Sequence, residues 1–193
     1  MTHAQAQMGR ADFEARYRAD SDPWGYETSE YERDKYAATL DACGPGPFEA
    51  AVELGGSIGV FSELLAPRCS RLVTLDYSPT AVGLARERLA ARDNVQALIG
   101  SIPQNLPAGQ FELIVASEIL YYLASADVAA TVGWVASALK PGGTLVCVHW
   151  RRHGPERPLT AEAVHTTVRN SPALIWTRSG STDEYLLDSF QRR

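Results

Sequence analysis

From residue 50 onward, short apolar runs alternate with amphipathic stretches of helical period. Ala50-Ala51-Val52-Glu53-Leu54 leads into the turn Gly55-Gly56-Ser57-Ile58-Gly59, and a helix is predicted over residues 60–66. Residues 72–76, 95–99, 111–116 and 144–149 read as further strands, being short, apolar and bounded by turn signals. The 111–116 run is nearly all apolar, which suits burial on both faces of a sheet. Ser78-Pro79 caps a helix that runs to about residue 92, with proline in its first turn. An Ala/Val-rich helix over 126–139 is closed by Lys140-Pro141-Gly142-Gly143, and a further helix over 159–170 takes Thr160 as its cap. Residues 173–178 and 184–190, joined by Ser179-Gly180-Ser181, predict a hairpin. This order predicts an α/β fold: a mainly parallel sheet with helices on both faces, closed by an antiparallel C-terminal hairpin.

The N-terminal pattern differs. Residues 1–20 read as a polar arm with helical character, and Asp22-Pro23-Trp24-Gly25-Tyr26 as a turn. Residues 29–42 are helical, with Tyr31, Lys35, Tyr36, Thr39 and Leu40 in helical register and Ser29 as the cap. Gly44-Pro45-Gly46-Pro47 then breaks the chain. The expected organisation is a helical arm over 1–43 and one α/β domain over 44–193.

Composition narrows the function classes. The chain has 193 residues, enough for one domain with its own core. A net charge of −5 and a pI near 5.4 disfavour nucleic acid and anionic membrane surfaces as partners. No run is apolar for the length of a membrane span, and the N-terminus lacks a secretory signal's apolar core. Cys43, Cys69 and Cys147 are odd in number and far apart, so reduced thiols and a cytoplasmic location are expected. His149 and His153 are four apart with no third ligand in view, so no metal site is expected.

Two features carry chemistry. Gly55 and Gly59 allow a tight strand-to-helix turn and close approach of a ligand to the backbone. Asp76 ends the next strand, where a carboxylate can accept both hydroxyls of a ribose; the alternative is a helix-capping turn before Ser78. The glycine spacing is G-x-x-x-G, not the G-x-G-x-x-G of dinucleotide sites, and Glu53 beside it would repel a pyrophosphate. No Lys-Ser/Thr follows, so this is not a P-loop. A cationic adenosine-type ligand fits.

Glu53-x-Gly55-x-x-x-Gly59, Asp76, Phe111-Glu112-Leu113-Ile114-Val115 and Leu139-Lys140-Pro141-Gly142-Gly143 together resemble the ordered motifs of class I S-adenosylmethionine-dependent methyltransferases. Ser57 departs from the usual middle glycine, and Ser101, after Gly100, stands where an acid often meets the adenine amino group. The stretch from Asp22-Pro23-Trp24-Gly25-Tyr26 through Tyr31-Glu32-Arg33-x-Lys35-Tyr36 is similar to the N-terminal signature of the nodulation protein S family. Ser117-Glu118-Ile119-Leu120-Tyr121-Tyr122-Leu123 and Val148-His149-Trp150-Arg151 extend the likeness. That family methylates the amine of a glucosamine-derived oligosaccharide. The resemblance implies a Rossmann-like seven-stranded sheet, S-adenosyl-L-methionine as cofactor with S-adenosyl-L-homocysteine as product, and a small-molecule acceptor such as an amino sugar. It places Trp24, Arg33, Tyr36, Glu53, Gly55, Ser57, Gly59, Asp76, Tyr77, Ser101, Ile102 and Ser117 on the cofactor. Glu118 and His149, both at strand ends, are the candidates for taking a proton from the acceptor or holding it. Tyr121, Tyr122, Trp150 and Arg151 are the candidates for binding the acceptor. Methylation of an oxygen, and binding of the cofactor without catalysis, remain open on the sequence.

Overall fold

The computed structural model describes residues 9–152 and 154–193; the first eight residues of the expected arm, and His153, lie outside the described residues. Seven strands form one sheet: β1 (Ala51–Leu54), β2 (Leu72–Asp76), β3 (Val95–Ile99), β4 (Phe111–Ser117), β5 (Leu139–Trp150), β6 (Leu174–Ser179) and β7 (Tyr185–Arg192). Their order is β3-β2-β1-β4-β5-β7-β6. β1 to β5 are parallel, and β7 runs antiparallel between β5 and β6. The order reverses between β1 and β4, and the carboxyl ends of strands at such a reversal open the crevice where ligands sit.

Among the described residues six α-helices accompany the sheet: α1 (Arg10–Ala19), α2 (Glu30–Cys43), α3 (Val60–Leu65), α4 (Pro79–Arg88), α5 (Ser125–Ala138) and α6 (Ala161–Arg169). The strand period of two explains the continuous apolar runs. Val52, Ile114 and Leu145 pack in one core with Val128, Val132, Val135, Val164 and Val168 of α5 and α6. Their chain neighbours Ala51, Leu113 and Val146 pack in another with Tyr36 and Cys43 of α2 and Phe61 and Leu65 of α3. A strand buried on both faces has no polar side to alternate.

The caps fall where the sequence put them: Ser29, Ser78 and Thr160 accept from the N–H groups of Glu32, Ala81 and Ala163. Two boundaries differ by four or more residues. α4 ends at Arg88, four residues short of expectation. Lys140-Pro141-Gly142-Gly143 does not separate helix from strand, because Leu139 already pairs with Phe111. The register then shifts before Leu113 pairs with Thr144, so the motif is an irregularity inside β5. Among the described residues, no helix is long and apolar enough to cross a membrane.

Candidate functional site

A cleft of about 550 Å³ opens at the carboxyl ends of the parallel strands. Each strand contributes the residues that immediately follow it. Gly55 and Ser57 come from the turn after β1, Asp76 and Tyr77 from β2, and Ser101 and Ile102 from the segment after β3. Ser117, Glu118, Tyr121 and Tyr122 come from the end of β4, and Trp150 from β5. Trp24 closes the cleft from the N-terminal side.

The glycine turn is held by what lies beneath it. A Cβ on Gly56 would sit 1.7 Å from Thr74 Oγ1, so only glycine fits. Thr74 Oγ1 donates to Glu53 Oε2 at 3.0 Å, and Ser62 Oγ donates to the same oxygen. Glu53 is fully buried, and burial pushes its carboxyl up to about 7. It does not line the cleft as expected; it braces the turn from below. It also borders a separate small cavity of about 30 Å³ with Tyr36, Gly55, Ser57 and Glu118. Gly59 is likewise away from the cleft. At φ +81° it starts α3, and a Cβ there would stand 3.1 Å from Ala85 Cβ, so it sets helix packing.

Asp76 is fixed by backbone donors. Its Oδ2 accepts from the Ser57 N–H at 3.0 Å and its Oδ1 from the Ser78 N–H at 2.9 Å. Burial raises its carboxyl above the usual range against the pull of these bonds. Ser57, at φ +49°, meets Tyr17 Oη through its Oγ at 2.5 Å. Tyr17 and Phe13 belong to α1, and both rings pack on Trp24, at centroid distances of 5.2 and 5.7 Å. Phe13 also meets Tyr77 and Tyr122 edge-on, so α1 bridges the two sides of the cleft. Glu14 pins that helix to the start of α4, accepting from Ser78 Oγ at 2.6 Å and Thr80 Oγ1 at 2.7 Å; these hydroxyls lower its carboxyl to about 2.

On the other side stands Glu118, with φ +55° in the left-handed region that side chains rarely occupy. Strain of this kind persists where the surroundings over-determine it, and here they do. Lys35 Nζ donates to Glu118 Oε1 at 3.0 Å, while the Trp150 N–H donates to Oε2 at 3.1 Å, as does the Tyr121 hydroxyl. Lys35 is 2% exposed and bonds Glu32 Oε1 at 2.9 Å on its other side. Burial alone would lower the Lys35 ammonium; Glu118 and Glu32 outweigh it and raise it. The Glu32 carboxyl is itself raised by burial, with Lys35 opposing.

His149 does not share this pocket. It is fully buried, and its Nε2 accepts the Leu120 N–H at 3.2 Å. That acceptor role fixes the tautomer: Nδ1 carries the proton and donates to His165 Nε2 at 3.1 Å. His165 Nδ1 donates in turn to Asp188 Oδ2 at 2.7 Å, which also accepts from Arg169. Burial holds the His149 pKa well below its ordinary value. The imidazole is a neutral support for the turn carrying Tyr121, with no lone pair for an acceptor. Arg33 is exposed, donates to the Thr28 carbonyl at 3.1 Å and does not line the cleft. Tyr36 packs on Phe61 behind the glycine turn. Arg151 is a surface residue, paired with Glu162 at 3.1 Å; Arg152 and Arg157 face the cleft instead. No group of three His, Cys, Asp or Glu that could hold a metal occurs among the described residues.

Sequence reasoning assigned no site role to Phe13, Tyr17, Glu32, Lys35 and Arg157. Phe13 and Tyr17 are four apart and could have been read as one helix face. Lys35 shares the helical register of Tyr31 and Thr39, but its partner Glu118 lies 83 residues away and no local pattern points to it.

The model of the family described as nodulation protein S (NodS) matches residues 6–166. A nodulation protein S from Sinorhizobium fredii is 32% identical over 187 residues, covering 90% of this chain and 85% of that protein. One from Rhizobium tropici is 35% identical over 130 residues, covering 66% of this chain and 55% of that protein. The crystal structure of the N-methyltransferase NodS from Bradyrhizobium japonicum WM9, in complex with S-adenosyl-L-homocysteine, superposes with a TM-score of 0.83 at 29% identity. It covers 93% of this chain and 96% of that one. A putative methyltransferase from Pseudomonas syringae is 38% identical, with a TM-score of 0.75 over 85% of this chain and all of that one.

Proposed function

The chain belongs to the nodulation protein S family, and we propose on that premise that it transfers a methyl group from S-adenosylmethionine to the amino group of a small molecule, a glucosamine-type sugar being the acceptor class that suits the cleft. The observation that carries this reading is Glu118: a carboxylate in a strained backbone position, held by three donors, in the same cleft as Asp76.

The residues fit a cationic adenosine compound. The cleft volume lies in the range of small-molecule sites. Its lining carboxylates, Asp76, Glu118, Glu32, Glu156 and Glu184, outnumber the cations Lys35, Arg152 and Arg157. Asp76, oriented by two backbone donors, keeps a free lone pair on each oxygen for the ribose hydroxyls. Ile102 offers an apolar surface for the adenine and Ser101 a hydroxyl for its edge. Gly55 and Ser117 let the amino-acid part approach the backbone, with Trp24, Phe13 and Tyr17 covering it.

The sulfonium supplies a methyl group that is already activated. The chain's part is therefore to hold the nucleophile in line and exclude water, effects worth about 7–11 kcal/mol when two reactants are fully oriented. The acceptor binds as the free amine, and Glu118 accepts a hydrogen bond from its N–H and so aims its lone pair; the methylated nitrogen, left as an ammonium, gives its extra proton to solvent. The three donors on the carboxylate fix its orientation and make it a positioning group more than a base. Tyr122 and Trp150 offer rings on which the apolar face of a sugar can lie.

The test is transfer of a labelled methyl group to an acceptor panel of glucosamine oligosaccharides, simple amines and phenols, read by mass spectrometry. The reading expects methylated amine, and a fall of at least about a hundredfold in kcat for Glu118→Gln, the scale of a lost general or positioning group. Transfer to phenols alone would replace nitrogen by oxygen as the acceptor; transfer to none would leave binding without catalysis.

A further inference from the structure

Three buried side-chain atoms among the described residues lack a hydrogen-bond partner: Tyr31 Oη, Glu32 Oε2 and Arg157 Nη1. All three residues line the cleft. Buried donors are nearly always satisfied in folded proteins, so an orphan in a cavity wall asks for a ligand atom. Arg157 makes the strongest case. It is 5% exposed and lies in the segment between β5 and α6. Its guanidinium stands over the Tyr121 ring at 4.9 Å and the Trp150 ring at 4.8 Å. Glu156 Oε1 takes its Nε–H at 3.1 Å and its Nη2–H at 3.0 Å. The charge is thus already paired and the plane already held by two rings, while Nη1 has nothing to give to.

We infer that Arg157 is a specificity-determining residue: its free Nη1 donates to an uncharged oxygen, a hydroxyl or an amide carbonyl, carried by the same molecule whose amine meets Glu118. This rests on the amine-acceptor reading above and narrows it. The two contacts are joined by one residue. Tyr121 gives its hydroxyl to Glu118 and its ring face to Arg157, so amine and oxygen are read from the two ends of a single side chain. A bare hydrocarbon amine would bury Nη1 unmet. An anionic group would meet Glu156 on the same guanidinium, so a neutral oxygen is the better match.

The probes are D-glucosamine, which carries hydroxyls around its amine, and cyclohexylamine, which has the ring and amine alone. Each is titrated into the S-adenosylhomocysteine complex of the wild type, Arg157→Met and Arg157→Lys, with affinities read by ligand-observed NMR. The wild type should prefer glucosamine by about tenfold or more, and Arg157→Met should bring the two amines within about threefold, leaving cyclohexylamine affinity unchanged. Should Arg157→Met no longer bind S-adenosylhomocysteine, Arg157→Lys is judged by the same criterion, since it keeps the charge and loses the planar fork. No preference in the wild type, or a preference retained in the variant, overturns the inference. Methyl transfer by the same proteins, freshly supplied with S-adenosylmethionine in place of S-adenosylhomocysteine, judges the other reading separately: Arg157-dependent binding of glucosamine without its methylation would keep this inference and overturn amine methylation.

Discussion

Lys35→Met isolates the least expected feature of the site. The substitution keeps most of the stem's volume and removes the ammonium that lies between Glu32 and Glu118. Both carboxylates then remain in a protein wall with no cation beside them. Removing one partner from a buried ion pair costs about 3–5 kcal/mol, because the remaining charge is left uncompensated. The loss has a pH signature whose sign follows from burial. With the cation gone, burial and then the neighbouring Glu118 charge act on Glu32 against the bond from Tyr36, and drive its folded-state pKa further above the unfolded value. A carboxyl with a raised folded-state pKa costs nothing below the unfolded pKa, and an increasing amount as pH climbs from there to the folded value. The variant should therefore sit close to the wild type near pH 4 and fall to the full deficit at pH 8. Urea unfolding from pH 4 to 9 measures it. Adding Glu32→Gln should recover part of the loss at high pH, the two sites being in contact and so non-additive. A deficit under about 1 kcal/mol at pH 8, or one equal at pH 4 and pH 8, would refute the buried ion triad.

Three further expectations follow from single residues. Glu53, with a carboxyl at about 7 in the fold against 4.5 in the unfolded chain, costs stability increasingly between those values; Glu53→Gln should flatten the loss between pH 5 and pH 8 and gain about 1–3 kcal/mol at pH 8 in urea unfolding. His149→Leu should cost about 1–3 kcal/mol by leaving the Leu120 N–H unmet; a thousandfold drop in kcat with stability unchanged would show instead that the imidazole reaches the acceptor. Glu14→Ala removes the carboxylate that holds α1 on Ser78 and Thr80; faster amide hydrogen exchange confined to residues 10–19 should report the release, and unchanged protection there would contradict the latch.

Much of this was legible in the sequence because it is local. Each parallel strand ends in the residues that build the cleft, so Gly55, Asp76, Ser101 and Glu118 could be found by locating strand ends. Caps are local too, and Ser29, Ser78 and Thr160 were placed correctly. What failed was whatever depends on side-chain direction or on long-range pairing. His149 sits one residue before a strand end and Glu118 one residue after one, and the His149 ring turns into the core toward His165. Glu53 sits one residue before a strand end and so points under the turn. Lys35 falls in helical register with Tyr31 and Thr39, but only the fold brings Glu118 to it. The Lys140–Gly143 turn signal was real, but pairing of Leu139 with Phe111 drew it into the strand.

The most direct test of the account is a calorimetric titration of S-adenosylmethionine into the wild type and Asp76→Ala. On the proposed reading Asp76 accepts from both ribose hydroxyls, and the loss of two charge-assisted bonds, each worth about 1.5–3 kcal/mol, predicts that the variant binds at least about a hundredfold more weakly than the wild type. Equal affinity in both proteins, or no binding to the wild type, would contradict the cleft as the cofactor site and with it the proposed reaction.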